Sequence, residues 1–110
     1  MSNHITISPI EGTVTASLAD GTVIAESTNA VSLVEGSIGP RTYIPRADVN
    51  MELLTATSHA THCPFKGQAA YWSIGDNANA VWSYENPIDA VPEIAGHMSF
   101  YDSVVNVSVA

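Results

Sequence analysis

Residues 68–74 alternate without a break. Ala70, Trp72 and Ile74 fall on one side, and Ala69, Tyr71 and Ser73 on the other. A period of two is the mark of an extended strand, whose successive side chains leave on opposite faces. The pattern returns earlier, where Val14, Ala16 and Leu18 alternate with Thr13, Thr15 and Ser17. Asp20-Gly21 follows, then a second run over 22–27. That spacing predicts a hairpin closed by a type I′ turn, with both central residues at positive φ. Further short strands are expected at 31–34, 41–44, 80–84, 98–101 and 104–109, with loops at 36–40 and 55–61. Gly75-Asp76-Asn77 reads as the turn after the 68–74 run. Helical pattern is confined to two brief segments. Asp48 is read as the N-cap of one that runs to Leu54. Asn86-Pro87 opens the other, with Ile88, Val91 and Ile94 on one face, Pro92 keeping it short and Gly96 ending it. About eight short strands and two helical turns predict a mainly-β chain, a small sandwich or open barrel forming one domain over 1–110.

Charge narrows the functions open to such a domain. The 110 residues carry 11 acidic side chains against three Lys and Arg, a formal net charge of −8. Nucleic-acid binders displace counterions with clustered cations, and anionic membrane surfaces attract the same clusters. Neither partner is therefore expected. The single cysteine, Cys63, excludes an intramolecular disulfide and a tetrathiolate zinc site. Met1-Ser2-Asn3-His4 lacks the basic and apolar segments of a signal peptide, and no stretch approaches the roughly 18 apolar residues of a membrane span. A soluble, cytoplasmic protein is expected, as a monomer or a homodimer.

The rare residue types are concentrated. All three cations, Arg41, Arg46 and Lys66, fall within 26 residues, together with Cys63, His59 and His62. The stretches Arg-Thr-Tyr-Ile-Pro-Arg-Ala-Asp-Val (41–49), Thr-His-Cys-Pro-Phe-Lys-Gly (61–67), Ala-Tyr-Trp (70–72), Val-Trp-Ser-Tyr (81–84) and Ile-Ala-Gly-His-Met-Ser-Phe-Tyr (94–101) form a set. As a set it resembles a bacterial and fungal family catalogued as domain of unknown function 427. The resemblance spans nearly the whole chain and is best from Arg41 onward. It implies a β-tent architecture and brings no established activity. Zinc, held in other β-tent proteins by paired Cys-x-x-Cys motifs, does not carry over, because neither pair is here. The family's nucleotidyltransferase-like label finds no Gly-rich phosphate loop and no paired-Asp metal motif in this chain.

Candidate chemistry follows from the same segment. Cys63 is a candidate nucleophile, with His62 beside it as base and Asp48 as a carboxylate that orients the imidazole or pairs with Arg41. Arg41 and Lys66 are candidate anion ligands. Tyr43 joins them, and Trp72 and Trp82 are candidate pocket walls if they meet across neighbouring strands. His59, His62 and Cys63 have ligand chemistry but no evident fourth partner, so neither a metal nor another cofactor is expected. His4 and His97 read as structural or exposed. Two functional readings result. In one, residues 41–84 build a pocket for a small anionic or aromatic molecule, with Cys63 or His62 supplying any catalysis. In the other, the domain is a non-catalytic structural or protein-interaction module with an acidic surface, and Lys66 sits in an internal ion pair.

Overall fold

The computed structural model describes residues 5–36, 38–64, 66–87 and 92–110, with backbone alone at 38 and 39. Ten strands are present among them: β1 (Ile5–Pro9), β2 (Val14–Ser17), β3 (Val23–Ser27), β4 (Val31–Glu35), β5 (Ile38–Pro45), β6 (Leu54–Cys63), β7 (Gly67–Ile74), β8 (Asn77–Ser83), β9 (His97–Phe100) and β10 (Asn106–Val109). They form an open seven-stranded sheet, ordered β1-β4-β5-β9-β8-β7-β6, and a three-stranded sheet, ordered β10-β2-β3. Every pairing is antiparallel. The expected mainly-β sandwich of open sheets is the fold observed.

Alternation along each strand sorts the apolar residues into two clusters. One lies between the sheets. Val14, Ala16, Ile24 and Ala25 of the small sheet meet Ile44, Trp72, Ile74, Val81, Met98 and Phe100 of the large one. The other covers the opposite face of the large sheet and holds Ile5, Leu33, Tyr43, Ala69, Tyr71, Trp82, Tyr84 and Ile94. The large sheet is thus buried on both faces, which explains why β8 reads as the unbroken apolar run Ala-Val-Trp.

The large sheet curls. In a flat sheet, four steps of about 4.8 Å would hold β4 roughly 19 Å from β7. Yet Lys66, in the β6–β7 turn, forms an ion pair with Glu35 at the end of β4. That contact exceeds the joint reach of the two side chains unless the sheet bends and brings its two arms together. The bend makes a concave face.

Several local expectations change. Residues 55–61 are not a loop but part of β6, ten residues paired to β7 with a bulge between Ala56 and Ala60. Residue 38, expected in a loop, begins β5, which also takes in Pro45. Asp48 caps no helix. It ends a 3-10 turn (Arg46–Asp48), and the cap of the next turn (Met51–Leu53) is Asn50, whose Oδ1 accepts from the Glu52 N–H. The β2–β3 hairpin forms, but not by a type I′ turn. Only Gly21 has positive φ, and the Gly21 N–H donates to Leu18 O at 2.9 Å. Of the second helical segment, a 3-10 turn at Pro92–Ile94 is seen, and Gly96 at φ +71° ends it. Ile88 and Val91, like His4 and Phe65, lie outside the described residues.

Ser83 is a costly feature of the large sheet. It is 0% exposed, and its Oγ has no hydrogen-bond partner among the described residues. A buried hydroxyl without a partner loses its hydration and gains nothing. Ser83→Ala is therefore expected to leave stability unchanged or raise it by up to about 1 kcal/mol. A urea midpoint that falls instead would mean the hydroxyl is bonded in solution.

Candidate functional site

The concave face holds a cavity of about 240 Å³. It is lined by Leu33, Glu35, Arg41, Tyr43, Lys66, Tyr71, Trp82, Tyr84 and Tyr101. All four tyrosines of the chain are in this group, with one of its two tryptophans and two of its three cations. A second hollow of about 180 Å³ adjoins it and shares Arg41, Trp82 and Tyr101.

Strand register explains the gathering. On β5, Arg41 and Tyr43 are two residues apart and share a face, while Ile44 turns to the core between the sheets. Tyr71 of β7 pairs with Trp82 of β8, which keeps those rings together. Between β5 and β8 runs β9, whose residue opposite Trp82 is the small Ser99. Ser99 leaves room for Tyr43 and Trp82 to meet across it, and its Oγ donates to Thr42 O at 2.8 Å. The Trp82 Nε1–H donates to the Tyr43 Oη at 3.1 Å, with the rings edge to face. The Tyr101 ring lies against Trp82, centroids 4.7 Å apart. Lys66 arrives from the tight turn closed by its own N–H to Cys63 O. Pro64 fits the second place of such a turn because its φ is preset. The Lys66 ammonium lies 5.8 Å from the Tyr84 ring centroid as well as on Glu35.

The polar groups of the wall are unevenly committed. Tyr71 Oη is bonded to Thr61 Oγ1 at 2.9 Å. Glu35 is engaged by Lys66, and Trp82 by Tyr43. Tyr43 accepts from Trp82, but its own O–H has no acceptor among the described residues, nor has that of Tyr84. Arg41 has no ion-pair partner among them either. The uncommitted groups can thus all donate. Burial pushes the Tyr43 phenol up to about 12, outweighing the opposing effect of the Trp82 N–H. Burial likewise raises Tyr84 well above the ordinary tyrosine range. Burial and then the neighbouring Tyr71 raise Tyr101. These phenols stay protonated, and hence able to donate, at any physiological pH.

The predicted site residues divide. Arg41, Tyr43, Lys66 and Trp82 come together as expected. Trp72 does not join them. It pairs with Val81, faces the core between the sheets, and has the Arg46 guanidinium 5.2 Å from its ring. The two tryptophans therefore wall no common pocket. The catalytic trio is also separated. Cys63 packs against the tyrosine-rich cluster, but His62, next to it on a strand, leaves on the other face and is exposed. Asp48 accepts from Ser27 Oγ at 2.6 Å in a different hollow, lined by Thr13, Glu26 and Thr28. His59 packs edge-on against Tyr71 at 4.5 Å from the outer side of β6. Among the described residues, no three His, Cys, Asp or Glu side chains are grouped to hold a metal. Glu35, Leu33, Tyr101, Tyr71 and Tyr84 are wall residues that the sequence does not single out as site candidates. The signal available for the last three was the tyrosine count itself, four in a chain whose tyrosines all serve one wall.

No curated protein sequence matches the chain. The model of one family does, over residues 6–110, and it includes every residue of the cavity wall. The chain belongs to the family described as Domain of unknown function (DUF427).

Proposed function

We propose that the chain binds a small anionic molecule in the tyrosine-lined cavity. One observation carries the reading: the uncommitted polar groups of the wall can all donate, namely the Arg41 guanidinium and the Tyr43 and Tyr84 hydroxyls. A guanidinium can only donate, and each phenol can turn its O–H toward a ligand, so the site suits a ligand rich in acceptor oxygens. The charges agree. Arg41, Lys66 and Glu35 sum to one positive charge on the wall of a chain at −8. Aromatic walls with a few convergent polar groups are the usual form of a small-molecule site. The reading needs no catalytic Cys63, since that thiol is not part of the cavity lining.

A thermal-shift screen tests it with three sets of small organic compounds: anions, cations and neutral molecules. Anions at ten times their Kd are expected to stabilise by about 1.4 kcal/mol, roughly 5–10 °C for a domain of this size. Arg41→Gln removes most of that shift, and Cys63→Ser leaves it intact. Equal shifts with cations, or with Arg41→Gln, would end the reading.

The interaction-module reading draws on one observation of its own, the internal Lys66–Glu35 pair. It expects no ligand to act at this cavity, so the same screen separates the two.

A further inference from the structure

We infer that the ligand of this cavity is a planar aromatic carboxylate whose ring takes over the indole face now covered by Tyr101. The inference rests on the anion-binding reading above and narrows it in charge and in shape. The charge argument comes from the lining. The larger hollow has Arg41 and Lys66 against Glu35, and the only further ionised group in the adjoining one is Asp102. The larger hollow carries one net positive charge, which a monoanion balances, and Asp102 of the adjoining hollow works against any second negative charge. A phosphate monoester near two negative charges would leave the enclosed site net negative, inside a chain already at −8. A carboxylate also matches the donors in kind, since a guanidinium and two phenol O–H groups suit its two oxygens.

The shape argument comes from Tyr101 and Trp82. Both rings line both hollows and so form, with Arg41, the partition between them. The Tyr101 backbone is held: its N–H donates to Ala80 O, and its carbonyl accepts from the N–H groups of Val104 and Val105, all at 3.0 Å. Its side chain is held by the Trp82 ring and by a hydrogen bond with Tyr71, contacts that a ligand and solvent can replace, and the residue is 44% exposed. A rotation about χ1 moves the ring toward solvent without moving the backbone. That rotation joins the two hollows and bares the Trp82 face to a flat ring. Trp82 itself stays fixed by its bond to Tyr43. Arg41, at the junction, is then beside a carboxylate attached to that ring.

The Trp82 indole N–H signal in proton–nitrogen correlation spectra reports on this directly. The chain has two tryptophans, and Trp72→Phe assigns the pair of signals. Benzoate and 2-naphthoate are expected to shift the Trp82 signal in a saturable manner and to leave that of Trp72 in place. Phenyl phosphate and cyclohexanecarboxylate should bind at least tenfold more weakly than benzoate. Arg41→Gln should weaken benzoate at least tenfold. Tyr101→Ala, at an exposed position, should tighten 2-naphthoate relative to benzoate. If phenyl phosphate binds at Trp82 as tightly as benzoate, anion binding stands but the carboxylate assignment falls. If cyclohexanecarboxylate equals benzoate, the stacked ring falls. If no anion moves the Trp82 signal, this inference and the anion-binding reading fail together.

Discussion

Lys66→Met is expected to cost about 3 kcal/mol of folding stability, more than the removal of either charge of the exposed Arg46–Glu85 pair. The Lys66 and Glu35 side chains are only 11% and 14% exposed. Two charges removed from water this far are compensated mainly by each other. Taking one away leaves the other with a desolvation cost and a reduced return, typically about 3–5 kcal/mol for a buried pair. The low end applies because Glu35 keeps a further interaction. Met preserves the apolar stem over Tyr84, so lost packing contributes little. The double variant Lys66→Met/Glu35→Gln is expected to recover most of the loss, since Glu35 is no longer a buried charge without its lysine. The contrast within the same molecule is Arg46–Glu85, whose side chains are 41% and 45% exposed. Glu85→Gln should change stability by less than about 1 kcal/mol. Urea unfolding of the four proteins at one pH measures all of this. A loss for Lys66→Met no larger than for Glu85→Gln would mean that solvent reaches the pair, and the cavity would lose its enclosed wall.

What could be read in the chain divides along physical lines. Strand β7 was legible as a run of small, aromatic and β-branched residues stopped by Gly67 and Gly75. Strand β6 was not. It is an edge strand paired only to β7, most of its residues are exposed, and no burial requirement imprints alternation on Thr55 to Thr61. The Asp20-Gly21 signal located a hairpin correctly, whereas the turn type depends on loop length, and the loop is longer than two residues. Arg41, Tyr43, Lys66 and Trp82 were legible as scarce types crowded into one segment. The opposite orientation of Trp72 was not. It depends on the β7–β8 register, which sets Trp82 against Tyr71 and is not recorded in either strand alone. Glu35 and Tyr101 enter the site only through the curl of the sheet and the turn after β9, both products of tertiary packing.

Alkaline pH should unfold this protein earlier than its core would lead one to expect, and Tyr43 is the reason. In the unfolded chain its phenol titrates near pH 10, and in the folded chain burial holds it at about 12. Below pH 10 both states keep the proton, and the stability is fully present. Between pH 10 and pH 12 the unfolded chain gives up a proton that the folded chain retains, so the balance moves toward unfolding. Each unit of difference is worth about 1.4 kcal/mol, so Tyr43 alone removes about 2 kcal/mol by pH 12. Tyr84, shifted in the same direction by burial, adds to the loss. A variant isolates the contribution of this phenol. Tyr43→Phe serves. At pH 7 it should be about 1–3 kcal/mol less stable than the parent, because the Trp82 N–H loses its acceptor. As the pH rises from 10 to 12 that gap should close, since Phe has no proton to lose. Phenolate absorbance supplies the second reading: Tyr43 and Tyr84 ionise only as the chain unfolds. The physiological consequence is the one the anion site requires, two neutral hydroxyl donors at every pH a cell reaches. Parallel stability curves for the parent and Tyr43→Phe through pH 12 would show that solvent reaches the Tyr43 hydroxyl, and with it the wall on which anion binding was argued would be lost.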